Sequence, residues 1–240
     1  MFTTDFLLIA LIIFFSSFSM GFSGFGFALI SVPLISLIAG ITYASPLSAL
    51  GGIVVNLFLV LKFRKTINFK ELTPLYISSF IAIPIGVYAL SNLNLDFLRV
   101  VLGCFLIVYL LISVFNLLQI KNVNDKWSYL AGFLSGLFGG LFNTNGPPVL
   151  IYFLLKGYNK EKFKASIAGY FIFNSIIIIS WHAIGGITTQ KIFVDFLLLI
   201  PVILFGTLLG SFLFGKTSDK IFKLIVEILL SVIALILIFS

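Results

Sequence analysis

The stretch Gly-Leu-Phe-Gly-Gly-Leu-Phe-Asn-Thr-Asn-Gly-Pro-Pro, residues 136–148, lies inside an uncharged run that extends from residue 127 to residue 155. A single membrane-spanning helix needs about 20 apolar residues, so this run is too long for one helix. Glycine and proline are the residues that most strongly interrupt a helix. The sequence therefore predicts a pair of helical segments that meet at a break.

A second long run covers residues 6–39 and is interrupted by Gly-Phe-Ser-Gly-Phe-Gly, residues 21–26. Six further runs each have the length of one membrane span; 44–61, 72–95, 100–120, 165–190 and 196–215 are uncharged, and 224–240 carries one charged residue, Glu227. The chain of 240 residues is 60% hydrophobic and 10% charged, whereas a soluble protein carries about 25% charged residues. These features predict an all-α polytopic membrane protein.

The composition also bears on cofactors and partners. The single cysteine, Cys104, cannot form an internal disulfide or a CxxC redox pair, and the single histidine, His182, cannot build a His/Cys metal cluster. We therefore predict no cofactor and no metal. The net charge of +7 is poor evidence for nucleic acid, because the basic residues lie in short clusters between apolar runs. Residues 1–5 lack the basic region of a signal peptide, so we expect the first run to be retained.

The two breaks belong to an internal repeat. Matching residues recur 117 to 123 positions apart, and these pairs are Gly40 and Gly157, Gly51 and Gly169, Asn56 and Asn174, and Asp96 and Asp219. A drift of a few residues is what differences in loop length produce. We therefore predict one repeat at residues 1–120 and another at residues 121–240.

Most of the basic residues record the orientation of the chain in the membrane. Thirteen of the 15 fall in four clusters, which are Lys62, Arg64, Lys65 and Lys70; Lys121 and Lys126; Lys156, Lys160, Lys162 and Lys164; and Lys216, Lys220 and Lys223. Such clusters mark the cytoplasmic side. The connections 40–46, 91–96 and 183–190 carry no basic residue and are expected outside.

Each basic loop aligns, through the repeat, with a neutral one. Loop 156–164 aligns with 40–46, and loop 62–71 aligns with 183–190. We therefore predict two inverted-topology repeats, each a broken or re-entrant helix pair followed by three transmembrane helices, with both termini outside. Inverted repeats with discontinuous helices are the architecture of many secondary transporters, which hold substrate where the repeats meet.

The two breaks form the predicted substrate site. A broken helix exposes backbone N–H groups and the positive end of its dipole, and glycine lets the backbone approach a ligand. Thr144 or Asn145 can cap a half-helix that begins near Pro147. The residues predicted to bind an anion are Ser23, Gly24 and Gly26 at the first break, Asn143, Thr144, Asn145 and Gly146 at the second, and Asn56 and Asn174 on equivalent helices.

Some of these residues have a structural alternative. Gly21, Gly136 and Gly140 can simply allow helices to cross closely, and Asn56 and Asn174 can form interhelical hydrogen bonds worth about 1 kcal/mol. Ionisable residues, which normally mark a proton path, are nearly absent from the apolar runs. One elementary charge gains about 2.3 kcal/mol per 100 mV in the membrane field, so the membrane potential alone can drive anion export.

The glycine-rich segments, at equivalent places in a repeated hydrophobic chain, resemble the TauE/SafE family of sulfite and organosulfonate exporters. The resemblance is carried by residues 21–33 and by residues 136–152, in which Gly-Pro-Pro precedes an apolar stretch, and it extends over essentially the whole chain. It implies a bacterial inner-membrane exporter of small sulfur-containing anions such as sulfite, sulfoacetate or related sulfonates. The sequence departs from the family pattern at Asn143 and Asn145, where glycines are common.

Two other classes of function compete with this hypothesis. Gly21-Phe22-Ser23-Gly24 matches the Gly-x-Ser-Gly of rhomboid intramembrane proteases, and His182 offers the general base of a Ser–His pair. Rhomboids lack the repeat that already explains this motif, so we favour a transporter over an enzyme. A membrane-embedded assembly protein without transport is the third possibility. Favouring the transporter, we predict a small anion and the lipid bilayer as partners.

Overall fold

The computed structural model describes residues 4–90, 123–184, 186, 188–218, 220, 221, 224, 225 and 228. These residues form eight α-helices and no strand: α1 (Thr4–Ser23), α2 (Phe27–Ala39), α3 (Ile41–Phe63), α4 (Phe69–Leu90), α5 (Trp127–Phe142), α6 (Gly146–Leu155), α7 (Lys160–Ile184) and α8 (Gln190–Gly215). Among them, α1, α3, α4, α7 and α8 are long and apolar enough to cross a membrane. Lipid offers no hydrogen bonds to the backbone, so apolar runs of this length become helices. The protein is an all-α polytopic membrane protein, as its composition predicts.

Both long uncharged runs divide into two helices, which confirms the predicted breaks. The first run gives α1 and α2, and the second gives α5 and α6. At 13 and 10 residues, α2 and α6 are too short to span a bilayer alone. The run 100–120, most of the run 224–240, and the residues Asp96, Cys104 and Asp219 lie outside the described residues.

The basic clusters meet at one end of the helix bundle. Lys162 forms an ion pair with Glu71 at 3.0 Å, and Lys156 forms one with Asp125. Hydrogen bonding to the Lys156 ammonium lowers the pKa of the exposed Asp125 carboxyl. Because these contacts join three of the four predicted clusters, we call this end of the molecule the basic end.

The broken pair α5–α6 begins and finishes at the basic end. Asp125 lies two residues before α5 and Lys156 directly follows α6, and the ion pair between them brings the two ends of the broken pair together. The chain therefore passes into the bundle through α5, turns at the break, and returns through α6. We call this element the second hairpin.

The broken pair α1–α2 returns to the opposite end. α1 runs parallel to α8, because Phe14 stacks on Phe205 at 5.8 Å and Phe22 lies further along, beside Gly210. Tyr43, just after α2, donates a hydrogen bond to Asp195 near the start of α8 at 2.7 Å. Both ends of this first hairpin therefore lie at the end where α8 begins, opposite the basic end.

The two hairpins thus come into the bundle from opposite ends, while the inversion of the two repeats stays a prediction. α1 of the first hairpin packs against α8, and α5 of the second packs against α4. In the predicted repeats, α1 corresponds to α5 and α8 corresponds to α4. The division at residues 120 and 121 stays a prediction, because the end of the first half lies outside the described residues.

Glycines allow both of these helix pairs to cross with their backbones in contact. A Cβ on Gly21 would lie 2.8 Å from Thr207 Cα, one on Gly136 would lie 2.7 Å from Ser79 Cα, and one on Gly140 would lie 2.8 Å from Val87 N. Real Cβ atoms do not approach other atoms so closely. These three glycines are therefore required for helix crossing, which favours the structural alternative for them.

α3 and α7 pack against each other between the two hairpins. The surrounding helices expose large apolar side chains, which suits contact with lipid; examples are Leu11 and Phe15 on α1, Ile77 and Ile81 on α4, and Phe205 and Leu208 on α8. The interior consequently lies where α3, α7 and the two breaks meet.

Candidate functional site

The first break is a tight turn in which two glycines adopt left-handed backbone conformations. Gly24 has φ 89° and Gly26 has φ 98°, and residues other than glycine rarely adopt these values. Ser23 stabilises the turn, since its hydroxyl donates to Ser19 O at 2.8 Å and accepts from Phe25 N–H at 3.3 Å. The glycine pattern that predicts this break is therefore a backbone requirement.

The second break uses asparagine where the first uses glycine. Asn143 has φ 55° and is the only residue other than glycine with positive φ in the described part of the chain. Its N–H donates to Gly139 O at 2.9 Å and so ends α5. Asparagine tolerates this conformation better than most residues, which explains how a residue other than glycine ends α5.

α6 begins at Gly146, close to the predicted start near Pro147. Asn145 occupies the N-cap position, as predicted, but its side chain does not make the capping hydrogen bond. The Asn145 backbone oxygen accepts from Ser135 Oγ. Its side-chain amide has no hydrogen-bond partner among the described residues and is therefore available to a ligand.

A cavity lies between the two breaks. Its atom-free space is ≈ 430 Å³, including the part that opens to the surroundings. It brings together six predicted site residues, which are Gly26, Asn56, Asn143, Thr144, Asn145 and Gly146. None of the described residues that line it carries a charge.

The first turn of α2 supplies backbone donors to this cavity. Phe27, Ala28 and Leu29 line it, and the α2 N-terminus has no side-chain cap. Ile30 is the first residue of α2 with a described helical hydrogen bond, and its N–H donates to Gly26 O at 3.0 Å. Three N–H groups and the positive end of the helix dipole therefore remain for an anion.

The first turn of α6 supplies fewer such donors. Pro147 and Pro148 follow Gly146 and have no N–H groups. On this side of the cavity, donors must come mainly from side chains, including those of Thr144 and Asn145. The two half-helices thus contribute unequally, although the sequence repeat suggests equal roles.

Two buried polar atoms on the cavity wall have no hydrogen-bond partner among the described residues. They are Asn56 Oδ1 and Thr144 Oγ1, on residues that are 2% and 4% exposed. Asn56 Nδ2 donates to Ser175 Oγ at 3.1 Å. If the Asn56 amide turns by half a rotation, Ser175 donates to Oδ1 instead and the Asn56 NH₂ becomes free to donate to an anion.

Three predicted site residues lie away from the cavity lining. The Ser23 hydroxyl is used within its own turn, and Gly24 packs against the side chain of Lys164. Asn174 is fully buried, and its Oδ1 accepts from Ser79 Oγ at 3.0 Å. The interhelical hydrogen bond, which is the alternative considered for Asn174, is therefore present, while Asn174 Nδ2 has no hydrogen-bond partner among the described residues.

Sequence reasoning missed several residues of the cavity wall. Ser48 and Gly52 line it together with the predicted Asn56, and the three residues are spaced four apart on one face of α3. Phe171 and Ser175 have the same spacing on α7. Small and polar residues at helical spacing inside an apolar run were the available signal.

Lys164 belongs to a basic cluster that is predicted to lie in a cytoplasmic loop, but the structure places it inside a helix. α7 begins at Lys160, so Lys164 lies one turn inside the helix and is fully buried at 0% exposure. Its ammonium donates to Gly21 O and, at 3.0 Å, to Phe22 O, which are among the last carbonyls of α1. The interior therefore contains an ionisable group beside the first break, contrary to the prediction from the uncharged runs.

The proposed Ser–His pair is not assembled. Gly24, next to Ser23, packs on Lys164 near the start of α7, whereas His182 is near the end of the same helix. Eighteen residues of helix separate Lys164 from His182, which is about 27 Å along the axis. A serine and its general base must lie within hydrogen-bond distance of each other.

Two broken hairpins that meet at an uncharged cavity define the class of secondary membrane transporters with discontinuous helices. Within that class, the chain belongs to the TauE/SafE sulfite exporter family, since residues 9–237 match the family described as Sulfite exporter TauE/SafE. The members of this family are membrane transporters. No curated protein and no solved structure matches the chain.

Proposed function

We propose that the protein exports small sulfur-containing anions, such as sulfite, sulfoacetate or related sulfonates, across a bacterial cytoplasmic membrane. One observation carries this proposal: the uncapped first turn of α2 and the second break, Asn143 to Gly146, line one uncharged cavity. Helix N-termini and neutral amides bind anions without a fixed counter-charge. Family membership supports sulfite as the first anion to test.

A neutral cavity suits transport better than tight binding. A buried cation facing the anion would stabilise the complex strongly, because charge pairs are strong where water is excluded. Backbone dipoles, amides and hydroxyls offer several weaker contacts, which the substrate can leave one at a time. The available donors are the N–H groups of Phe27, Ala28 and Leu29 and the side chains of Asn56, Thr144 and Asn145.

The membrane potential is the proposed driving force. The positive-inside rule places the basic end in the cytoplasm, so α1 begins outside. With the cell interior negative, an anion that moves outward gains about 2.3 kcal/mol per charge per 100 mV. No proton carrier is then required.

Purified protein in liposomes tests this function. A potassium gradient with valinomycin sets the interior negative, and we expect loss of loaded sulfite to accelerate with the imposed potential. Sulfoacetate, taurine, thiosulfate and sulfate, tested in parallel, define the substrate class. Flux that is absent for every anion, or equal to that of protein-free liposomes, would count decisively against the proposal.

Filling the cavity from α3 is expected to stop transport. A Cβ on Gly52 meets only the Phe27 ring, at 3.9 Å, so alanine fits without strain. Gly52→Leu places a larger side chain in the cavity, and we expect at least about a tenfold lower rate, equivalent to about 1.4 kcal/mol. The measurement is sulfite flux in liposomes, with Gly52→Ala as the matched control that retains flux. Equal rates in both variants would place the substrate path elsewhere.

A further inference from the structure

Three lysines converge on one pair of aromatic rings at the basic end. Phe63 and Phe214 form an edge-to-face pair with ring centroids 6.0 Å apart. Lys164 Nζ lies 3.9 Å from the Phe214 centroid and 5.5 Å from that of Phe63. Lys62 Nζ lies 5.8 Å from the Phe63 centroid, and Lys160 Nζ lies 5.4 Å from the Phe214 centroid. We call these five residues the lysine cluster.

The cations of this cluster have neutral partners. Lys62 donates to Ser211 Oγ at 2.7 Å, Lys160 donates to Thr217 O, and Lys164 donates to the last carbonyls of α1. Among the described residues, no carboxylate lies within salt-bridge distance of the three ammonium groups.

The nearby acids that the structure describes are engaged elsewhere or exposed. Glu71 pairs with Lys162 and accepts from Tyr158, and Asp125 pairs with Lys156. Glu161, which follows Lys160 in the chain, is exposed and makes no described ion pair. Three lysine side chains therefore share a partly buried site without a described carboxylate partner.

The lysine cluster lies next to the proposed substrate cavity. The Lys164 side chain packs on Gly24, where a Cβ would lie 3.1 Å from Lys164 Cγ. Gly26, two residues further along the same turn, lines the cavity. Lys62 is exposed at the surface, so the cluster extends from the basic end to the first break.

We propose that Lys62 and Lys164 form a second anion site, which holds the transported anion between the basic end and the central cavity. This inference rests on the proposed function. Lys62 attracts the anion at the surface, and Lys164 receives it by exchanging its carbonyl partners for the stronger charged one. Lys160 adds to the positive potential at the same place.

A sidedness experiment tests this site. Uptake of radiolabelled sulfite is measured into inside-out vesicles, which expose the basic end, and into right-side-out vesicles, which expose the other end. We expect Lys62→Met to raise the apparent KM about tenfold from the basic end and to leave it unchanged from the other end. The dependence of the basic-end KM on ionic strength should also become shallower.

Lys65→Met is the matched control, because Lys65 is exposed two residues after the end of α3 and its loss removes the same amount of surface charge as the loss of Lys62. The second site is overturned if the KM rises equally in both variants or does not rise in Lys62→Met. In either case, flux by the wild-type protein leaves the proposed function intact. Absent wild-type flux from both sides instead overturns the proposed function and this site with it.

Lys164 is tested with a charge-preserving variant, since Lys164→Met leaves buried carbonyls without a donor and can unfold the protein. We expect Lys164→Arg to keep the KM measured from the basic end within about threefold of the wild-type value. We expect folded Lys164→Met protein to have a higher KM from the basic end than Lys62→Met. Melting curves in detergent distinguish unfolding of the variant from loss of anion binding. A folded Lys164→Met variant with a wild-type KM would exclude Lys164 from the site.

Discussion

Replacing Asn145 with alanine is expected to lower sulfite flux about 10- to 100-fold without lowering the melting temperature. Asn145 lines the cavity, and its amide has no hydrogen-bond partner among the described residues. Its removal therefore loses only a contact to the substrate, and a hydrogen bond to a charged group contributes about 1.5–3 kcal/mol. Initial rates in liposomes below the KM, together with melting curves in detergent, provide the measurement.

Asn143→Gly is the control for this variant. Asn143 also lines the cavity, but its left-handed backbone is the feature that ends α5, and glycine adopts that conformation without strain. We expect Asn143→Gly to retain most of the flux. Unchanged sulfite flux in Asn145→Ala would exclude Asn145 from the site. Loss of sulfite flux in Asn143→Gly alone would assign the anion contact to the Asn143 amide.

The largest effect on stability is expected from a bulky residue at a helix crossing. Gly140→Leu forces apart α4 and α5, because a Cβ there would lie 2.8 Å from Val87 N and 3.0 Å from Gly86 C. Backbone atoms cannot move aside as a flexible side chain can. We expect at least about 3 kcal/mol of destabilisation, equivalent to roughly 10 °C in melting temperature.

The yield of monodisperse protein in size-exclusion chromatography and the melting temperature in detergent measure this effect. Gly215→Leu is the same change at the end of α8, where a Cβ would meet nothing within 4 Å. It should behave as wild type. If Gly140→Leu is as stable as Gly215→Leu, the close crossing of α4 and α5 is not required for folding.

The sequence predicts the helices well because lipid restricts what an apolar run can become. Each uncharged run within the described residues corresponds to one helix or one broken pair, and both breaks fall where glycine or asparagine adopts positive φ. The basic clusters lie together for a related reason, since charges cannot remain among lipid tails. Composition and spacing carry these constraints directly.

The packing of the site was harder to predict. Asn56 and Asn174 occupy equivalent positions in the repeat, yet Asn56 lines the cavity and Asn174 bonds to Ser79 on α4. Lys164 has the same chemistry as its neighbours in the basic cluster, and only the rotation of α7 turns it inward beneath α1. Which face of a helix meets which neighbour depends on three-dimensional contacts that a repeat in one chain does not specify.

The uncharged cavity has an electrical consequence. With no charged side chain on its lining, the loaded site carries only the charge of its anion, and the empty site carries none. Voltage should then accelerate the loaded crossing but leave the return of the empty site unaffected. As the interior is made more negative, transport current is expected to rise and then reach a plateau, at which the voltage-independent return limits the cycle.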